Sequence, residues 1–342
     1  MSIATLTEST ARKLVIDVLV AYGTGTQDAR VVSDHLVDAE LAGVKSHGLL
    51  RVPQYVDEIL GGQIDPGASP TLVRRDAARV EVEGNRCFGQ VACTIALEEG
   101  LKLARAGGLG LVTIREAGHA GRIGAYAESL GREGFISMIF CSGPRSGHRV
   151  APFNGREGRL ATNPIAFSIP TPNDPIVGDF STASAPEGRI RHLRNIGQPA
   201  PPDTLLDADG KPTTDPDALY GDHPGSILPL GGFRLGHRGF ALGLLVEAVA
   251  TLLPGDDSDD ASRIGNNVAM IIVGVDTEFP SRAQHMAEYV LSSAPRGDSS
   301  VVLPGAPEQQ HRASSHAIQV DESTWQAILT RAAARNVSVS GF

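Results

Sequence analysis

An α/β fold is predicted for this chain of 342 residues, and three observations predict it. Helical periodicity fills the first third. From Gly107 onward, compact apolar runs alternate with glycine-punctuated turns and amphipathic stretches, the pattern of strands feeding helices. The chain then closes on another helix-like segment. A chain of this length suffices for roughly two domains, each with a core of its own.

Thr7 and Ser9 suit the cap of a helix over 10–22. A second follows over 26–42, with Gln27 and Asp28 in its first turn and Gly43 as its stop. Ser46 opens a further helical piece, which Pro53 bends or restarts and Gly61-Gly62 ends. Residues 66–70 form a connector, and 79–83 alternate as a strand does. Residues 87–106 have helical spacing, with Lys102 and Arg105 near the end. A strand over 109–114, a glycine-rich turn over 118–124, a helix over 125–133 and a strand over 135–141 come next. Extended segments are expected at 161–170 and 176–180, and a polar surface loop at 199–216. Residues 231–239 are expected as a glycine-rich loop before an apolar helix over 239–253. A buried strand over 269–275, an amphipathic helix over 282–293, a loop over 297–310 and a helix over 321–335 complete the chain.

Composition excludes several classes. The net charge of −9 offers no overall basic face for nucleic acid or an anionic membrane. Residues 1–20 carry Glu8, Arg12, Lys13 and Asp17 and lack the apolar run of a signal peptide. The apolar stretch over 239–253 is shorter than a membrane span and contains Glu247, read as a paired core carboxylate. Cys87, Cys93 and Cys141 match no zinc or redox spacing, which points to free thiols in a reducing cytoplasm. The ten histidines show no ligand spacing, so no metal is expected, and no G-x-S-x-G elbow is present.

Five segments carry candidate chemistry. Ser46-His47 and Arg51 place a hydroxyl, an imidazole and a guanidinium together. In a helix, His47 and Arg51 would share one face. The imidazole can exchange a proton near neutral pH and the guanidinium can hold a carboxylate through two parallel bonds. A helix cap with a surface ion pair explains the same residues. Gly118, Gly121 and Gly124 either let amides approach a phosphate or form a tight connection that binds nothing. Thr162 precedes an Asn163-Pro164 turn, and Asp179-Phe180-Ser181-Thr182 ends a strand where ligands collect in α/β sheets. The 231–239 run, with Arg234 and Arg238, suits an anion site at a helix N-terminus.

In this order, Ser46-His47-Gly48, Arg51-x-Pro53-x-Tyr55, Phe88-Gly89-Gln90 and His119-x-Gly121-Arg122-x-Gly124 form one collinear series. It continues through Ala151-Pro152-Phe153, Thr162-Asn163-Pro164-x-Ala166-Phe167, Asp179-x-Ser181-Thr182, the 206–216 segment and Leu303-Pro304-Gly305 with Glu308. The series covers nearly the whole chain and resembles the second type of malate/L-lactate dehydrogenase, unrelated in fold to the Rossmann lactate dehydrogenases.

The resemblance implies an α/β chain with a non-Rossmann, mixed-sheet cofactor domain over 75–284. A helical substrate and dimerisation domain would be built from both chain ends, 1–74 and 285–342. It implies an NAD- or NADP-dependent enzyme that interconverts 2-oxo and 2-hydroxy acids, acts on a small carboxylate substrate and forms a homodimer. His47, supported by Ser46, would be the proton donor and acceptor. Arg51 would hold the substrate carboxylate and Thr162 would line the substrate site. Cofactor contacts would come from His119, Ala120, Gly121, Arg122, Ile176, Val177, Gly178, Asp179, Phe180, Ser181, His237, Arg238, Gly305, Ala306, Pro307 and Glu308. The chain departs from the family pattern in three places. An extra stretch precedes the long helix, with Arg238 or Arg234 where Lys is usual and His237-Arg238-Gly239-Phe240 as the favoured register. The loop between Pro254 and Ala269 is short. Arg189 follows Gly188 where the ketimine-reductase branch carries Asp. A cyclic ketimine reductase is the alternative on the same scaffold, and a non-catalytic ligand-binding homologue is the other.

Overall fold

The computed structural model describes residues 3–315 and 317–339. Strand β1 (Ile3–Leu6) leads into α1 (Glu8–Ala21), whose first turn is capped by Thr7 accepting from the Thr10 amide at 3.2 Å. Helix α2 (Thr26–Leu41) follows, then a 3₁₀ turn over Lys45–His47 and α3 (Arg51–Leu60). Pro53 is the third residue of α3, where a missing N–H costs no intrahelical bond, so it neither bends nor restarts the helix.

The β-branched and apolar runs of the middle of the chain then pair. They are β2 (Thr71–Arg75), β3 (Arg79–Glu83), β4 (Leu109–Ala117), β5 (Ile136–Ser142), β6 (Ile165–Ile169) and β7 (Ile176–Phe180). Helix α4 (Gly89–Gly107) crosses from β3 to β4, and α5 (Ile123–Arg132) joins β4 to β5. After α6 (Glu187–Asn195), the short strands β8 (Leu205–Leu206), β9 (Pro212–Thr213) and β10 (Ser226–Ile227) form a small sheet of their own. Helix α7 (Gly232–Glu247) continues as a π-helical turn over Ala248–Leu252. Strand β11 (Asn266–Val273), α8 (Phe279–Leu291), α9 (Ala306–Ser314), β12 (Ile318–Asp321) and α10 (Glu322–Ala333) end the chain.

The main sheet has seven strands in the order β2-β3-β4-β11-β5-β6-β7. Only β3 and β4 run parallel, through the α4 crossover, and every other neighbouring pair is antiparallel. The sheet is therefore mixed, as expected. β11 lies between β4 and β5, and its Val268, Met270 and Ile272 are fully buried among Val112, Ile114 and Ile139. β1 and β12 pair antiparallel, so the two ends of the chain meet.

Four expectations are corrected. The 231–239 run is not a loop but the first turns of α7, entered from Gly231 in the left-handed region (φ 99°). The helical stretch Gly232–Leu252 is then 21 residues, long and apolar enough to cross a membrane by length alone, so the shortness argument fails. The expected loop over 297–310 contains the start of α9, and the 199–216 loop contains β8 and β9 with Leu205 and Leu206 buried. Helix α6 had no apolar period to announce it. Only Ile190 of it is buried, and ion pairs of Arg191 with Glu187 and Arg194 with Asp217 accompany it.

Candidate active site

Glu40 on α2 builds the turn that presents Ser46 and His47. Its buried carboxylate accepts the Leu49 amide at 2.8 Å. A Cβ at Gly48 would lie 2.1 Å from Glu40 Oε1, so a side chain there would displace the Glu40 carboxylate that holds the turn. The result is a 3₁₀ turn rather than an α-helix, so His47 and Arg51 do not share a helical face as expected. They converge instead because Arg51, the first residue of α3, folds back to donate from Nε to the Ser46 carbonyl at 2.8 Å.

His47 and His119 stack with ring centroids 5.5 Å apart and planes at 21°. The turn after β4 thus brings His119 to the proton-transfer residue. Ser46 Oγ lies 2.9 Å from His47 Nδ1, and Tyr55 Oη lies 2.9 Å from His119 Nδ1. Gln90, buried at the start of α4, donates to Tyr55 Oη at 2.7 Å. Gly89 makes this approach feasible, since a side chain there would sit 2.3 Å from the Gly118 carbonyl. The sequence alone assigns no role to Tyr55, Gln90 or Gln54, although the collinear series includes the first two. The signal that finds Tyr55 and Gln90 is polarity at buried positions of α3 and α4.

Burial, with the Arg51 guanidinium adding to it, pushes the His47 imidazole down to about 3. Burial also holds His119 well below its usual range. Both rings are therefore neutral near pH 7. Ser46 can donate to a bare Nδ1 or accept from a protonated one, so it supports His47 whether Nε2 holds a proton or takes one. Arg51 donates from Nη1 to Gln54 at 2.5 Å, while its Nη2 has no hydrogen-bond partner among the described residues. A methyl group at Gly188 would meet that Nη2 at 3.9 Å and nothing nearer, which leaves open space beside the guanidinium. A cavity of about 870 Å³ opens next to this cluster. It is lined by His119, Gln54, Arg191, Arg263 and Asn266, with Asp57 and Glu58 also on its wall.

The other expected residues lie elsewhere. Arg122 is 4 % exposed and spends its guanidinium on Asp38 (3.0 Å) and Glu128 (3.3 Å), while its amide donates to His35. The glycines of the 118–124 turn answer to the chain itself. Gly121 makes room for the His35 ring, and the Gly124 amide at the start of α5 donates to Asp179 at 2.8 Å. Burial raises the Asp179 carboxyl against the pull of that amide. Ser181 Oγ and Thr182 bond the Thr162 carbonyl, so the Thr162 turn and the end of β7 hold each other. Gly178 packs under Phe167, and Gly305 (φ 85°) caps α9 against Val177, placing Ala306, Pro307 and Glu308 in its first turn beside β7. His237 and Arg238 are exposed on α7 with Arg234, and His237 meets Phe153 edge-on at 5.6 Å. Among the described residues, no hydrogen bond or ring contact joins the Thr162, Ile176, His237 or Gly305 segments to the His47 cluster.

The family model described as malate/L-lactate dehydrogenase matches residues 6–329. The chain belongs to this family. It is 32% identical over 346 residues to an L-lactate dehydrogenase of Cupriavidus necator, covering 97% of this chain and 98% of the relative. It is 31% identical over 333 residues to an L-sulfolactate dehydrogenase of Methanothermobacter thermautotrophicus, covering 93% of each. The solved structure of a putative malate/lactate dehydrogenase from E. coli superposes with a TM-score of 0.91 at 30% identity, over 98% of this chain and 96% of that one. In this member of the malate/L-lactate dehydrogenase family, Ser46, His47 and Arg51 lie in one cluster.

Proposed function

We propose that this protein is a nicotinamide-dependent oxidoreductase that interconverts a 2-oxo acid and its 2-hydroxy acid. The observation that carries the reading is the cluster of Ser46, His47, His119 and Arg51, with His119 lining the cavity beside it. Relatives named for lactate and sulfolactate support the substrate class.

The residues suit a dinucleotide. Arg234 and Arg238 carry no ion pair among the described residues and stand with His237 on the exposed side of α7, a donor set matched to a pyrophosphate. The Asp179 carboxylate and the exposed Phe180 ring, at the end of β7, suit a ribose and a base. When bound, NAD or NADP supplies the hydride chemistry. The chain orients the acid and handles the proton. Arg51 holds the carboxylate through its free Nη2. His47 Nε2 gives a proton to the developing alkoxide, or takes the hydroxyl proton in the oxidative direction, while Ser46 steadies Nδ1. His119, held by Tyr55, stacks beside His47 and closes one wall against water.

The finer reading includes the helical substrate and dimerisation unit over 1–74 and 285–342 around the sheet unit over 75–284. The pairing of β1 with β12 supports it. It includes a homodimer, supported by exposed Leu235, Leu244, Leu245 and Leu252 on the α7 stretch, and a cytoplasmic location, supported by three buried free thiols. The test is the absorbance of NADH and NADPH with pyruvate, oxaloacetate, bulkier 2-oxo acids and a cyclic ketimine. Consumption with an open-chain 2-oxo acid is expected. Consumption with the ketimine alone would replace this reading with the imine reductase.

A further inference from the structure

Beneath the cavity wall lies a polar network that the proposed reaction does not use. Glu247, the last residue of α7, is 4 % exposed. Its Oε1 accepts from Ser142 Oγ at 2.8 Å and Asn163 Nδ2 at 3.0 Å, and its Oε2 from Ser258 Oγ at 2.9 Å. All three partners are neutral, and no Lys or Arg nitrogen pairs with it directly among the described residues. The nearest compensation is one step away. Ser142 Oγ also accepts from Arg263 Nη2 at 3.3 Å, and that guanidinium, 4 % exposed, bonds the Gly143 carbonyl and Thr251 Oγ1 (3.0 Å). Arg263 lines the same cavity as His119 and Asn266. Asn163, fully buried with φ 40°, also donates to the Gly243 carbonyl of α7 at 3.1 Å, and its neighbour Thr162 is the expected substrate residue.

A buried carboxylate with neutral partners is a costly way to fill a core, since an apolar side chain of the same volume is often neutral or better there. What it supplies is geometry. One carboxylate fixes a strained, positive-φ turn on one side and, across Ser142, a cavity-wall guanidinium on the other. It does so at the point where α7 widens into a π-helical turn, a feature that often accompanies functional sites.

We propose that Glu247 is a positioning residue for the substrate cavity, coupling α7 to the Thr162–Asn163 turn through Asn163 and to the Arg263 wall through Ser142. The proposal rests on the dehydrogenase reading only for what the cavity binds. Glu247→Gln keeps the volume and removes the charge and one acceptor. With this variant, hydrogen exchange should quicken in segments 160–166 and 261–268 and not in β3 or β4. KM for the 2-oxo acid should rise about tenfold, while kcat and the nicotinamide KM stay within about threefold. Ser142→Ala cuts only the Arg263 branch, so exchange should quicken in 261–268 alone. The proposal is overturned if Glu247→Gln leaves both segments exchanging as in the wild type, or if exchange quickens throughout the sheet, which marks a purely structural role. Should Glu247→Gln not fold, Ser142→Ala decides, and unchanged exchange in 261–268 overturns the proposal. If the wild type turns over no 2-oxo acid with either nicotinamide, the dehydrogenase reading falls and the exchange patterns still decide the coupling.

Discussion

At the scale of single residues, His47 and Arg51 divide the work of proton and carboxylate. His47→Ala should lower kcat by roughly 10²- to 10⁴-fold, the usual share of general acid–base catalysis, and leave nicotinamide affinity unchanged by fluorescence titration. Turnover at the wild-type rate would remove His47 from its role. Arg51→Lys keeps the charge but loses the planar fork, and the ammonium cannot bond Ser46, Gln54 and a carboxylate together. Its kcat/KM for the 2-oxo acid should fall by about tenfold or more, chiefly through KM. The Arg51 charge also helps to hold the His47 imidazole down. A bound carboxylate cancels that charge, so the His47 pKa should rise on binding. Burial, the larger cause, remains, so His47 should stay neutral at pH 7, and calorimetry in buffers of different ionisation enthalpy should read no proton uptake there when oxamate joins the protein–NADH complex.

At the scale of elements, the active site depends on close approaches that only glycine allows. Gly48→Ala would drive a methyl group into the Glu40 carboxylate and disturb the turn bearing Ser46 and His47. A loss of about 1–3 kcal/mol of stability, read from urea unfolding, should accompany lost turnover. Full stability with full activity would mean that the turn does not depend on this contact. The same scale shows where the sequence is legible and where it is silent. The cap at Thr7, the Gly61-Gly62 stop and the bounds of β3 and β7 follow from local rules, and the structure places them there. Helix α9 is silent because it buries no side chain. Arg312, paired with Asp38 and Glu128 from α2 and α5, ties it down, and ion pairs between distant elements leave no period in a sequence. The glycines at 121 and 124 are legible as close approaches, but not what approaches them. Here it is His35 and Asp179, 86 and 55 positions away in the chain.

At the scale of the whole molecule, pH acts through buried imidazoles. His35 is 9 % exposed, stacks on Tyr126 at 5.1 Å and accepts the Arg122 amide at 2.8 Å. Burial, assisted by Arg122, lowers it to about 4. A depressed histidine stabilises the fold in its neutral form above the unfolded pKa of about 6.5, and that stabilisation is lost as pH falls towards 4. The raised carboxyls of Glu40 and Glu58 act in the opposite sense, so the difference between proteins is the informative quantity. The fall in Tm between pH 7 and 5 should be smaller for His35→Gln than for the wild type, and parallel curves would show that His35 does not contribute. The exposed leucines of the α7 stretch set a second expectation at this scale. Sedimentation should give a dimer near twice the 35.8 kDa chain mass, with Leu244→Glu shifted towards monomer.

The sequence by itself determined the α/β class, the bounds of β3 and β7, and the serine, histidine and arginine that cluster beside the cavity. Each of these is written in local signals, namely periodicity, caps, glycine stops and side-chain chemistry within a few residues. Only the tertiary structure decided that His119 stacks on His47, that Tyr55 and Gln90 hold it there, that Arg122 serves an ion-pair cluster, and that Glu247 joins α7 to the cavity wall. These are contacts between side chains brought together from separate elements. Their partners are chosen by packing distance after the chain has folded, and sequence separation carries no record of that distance.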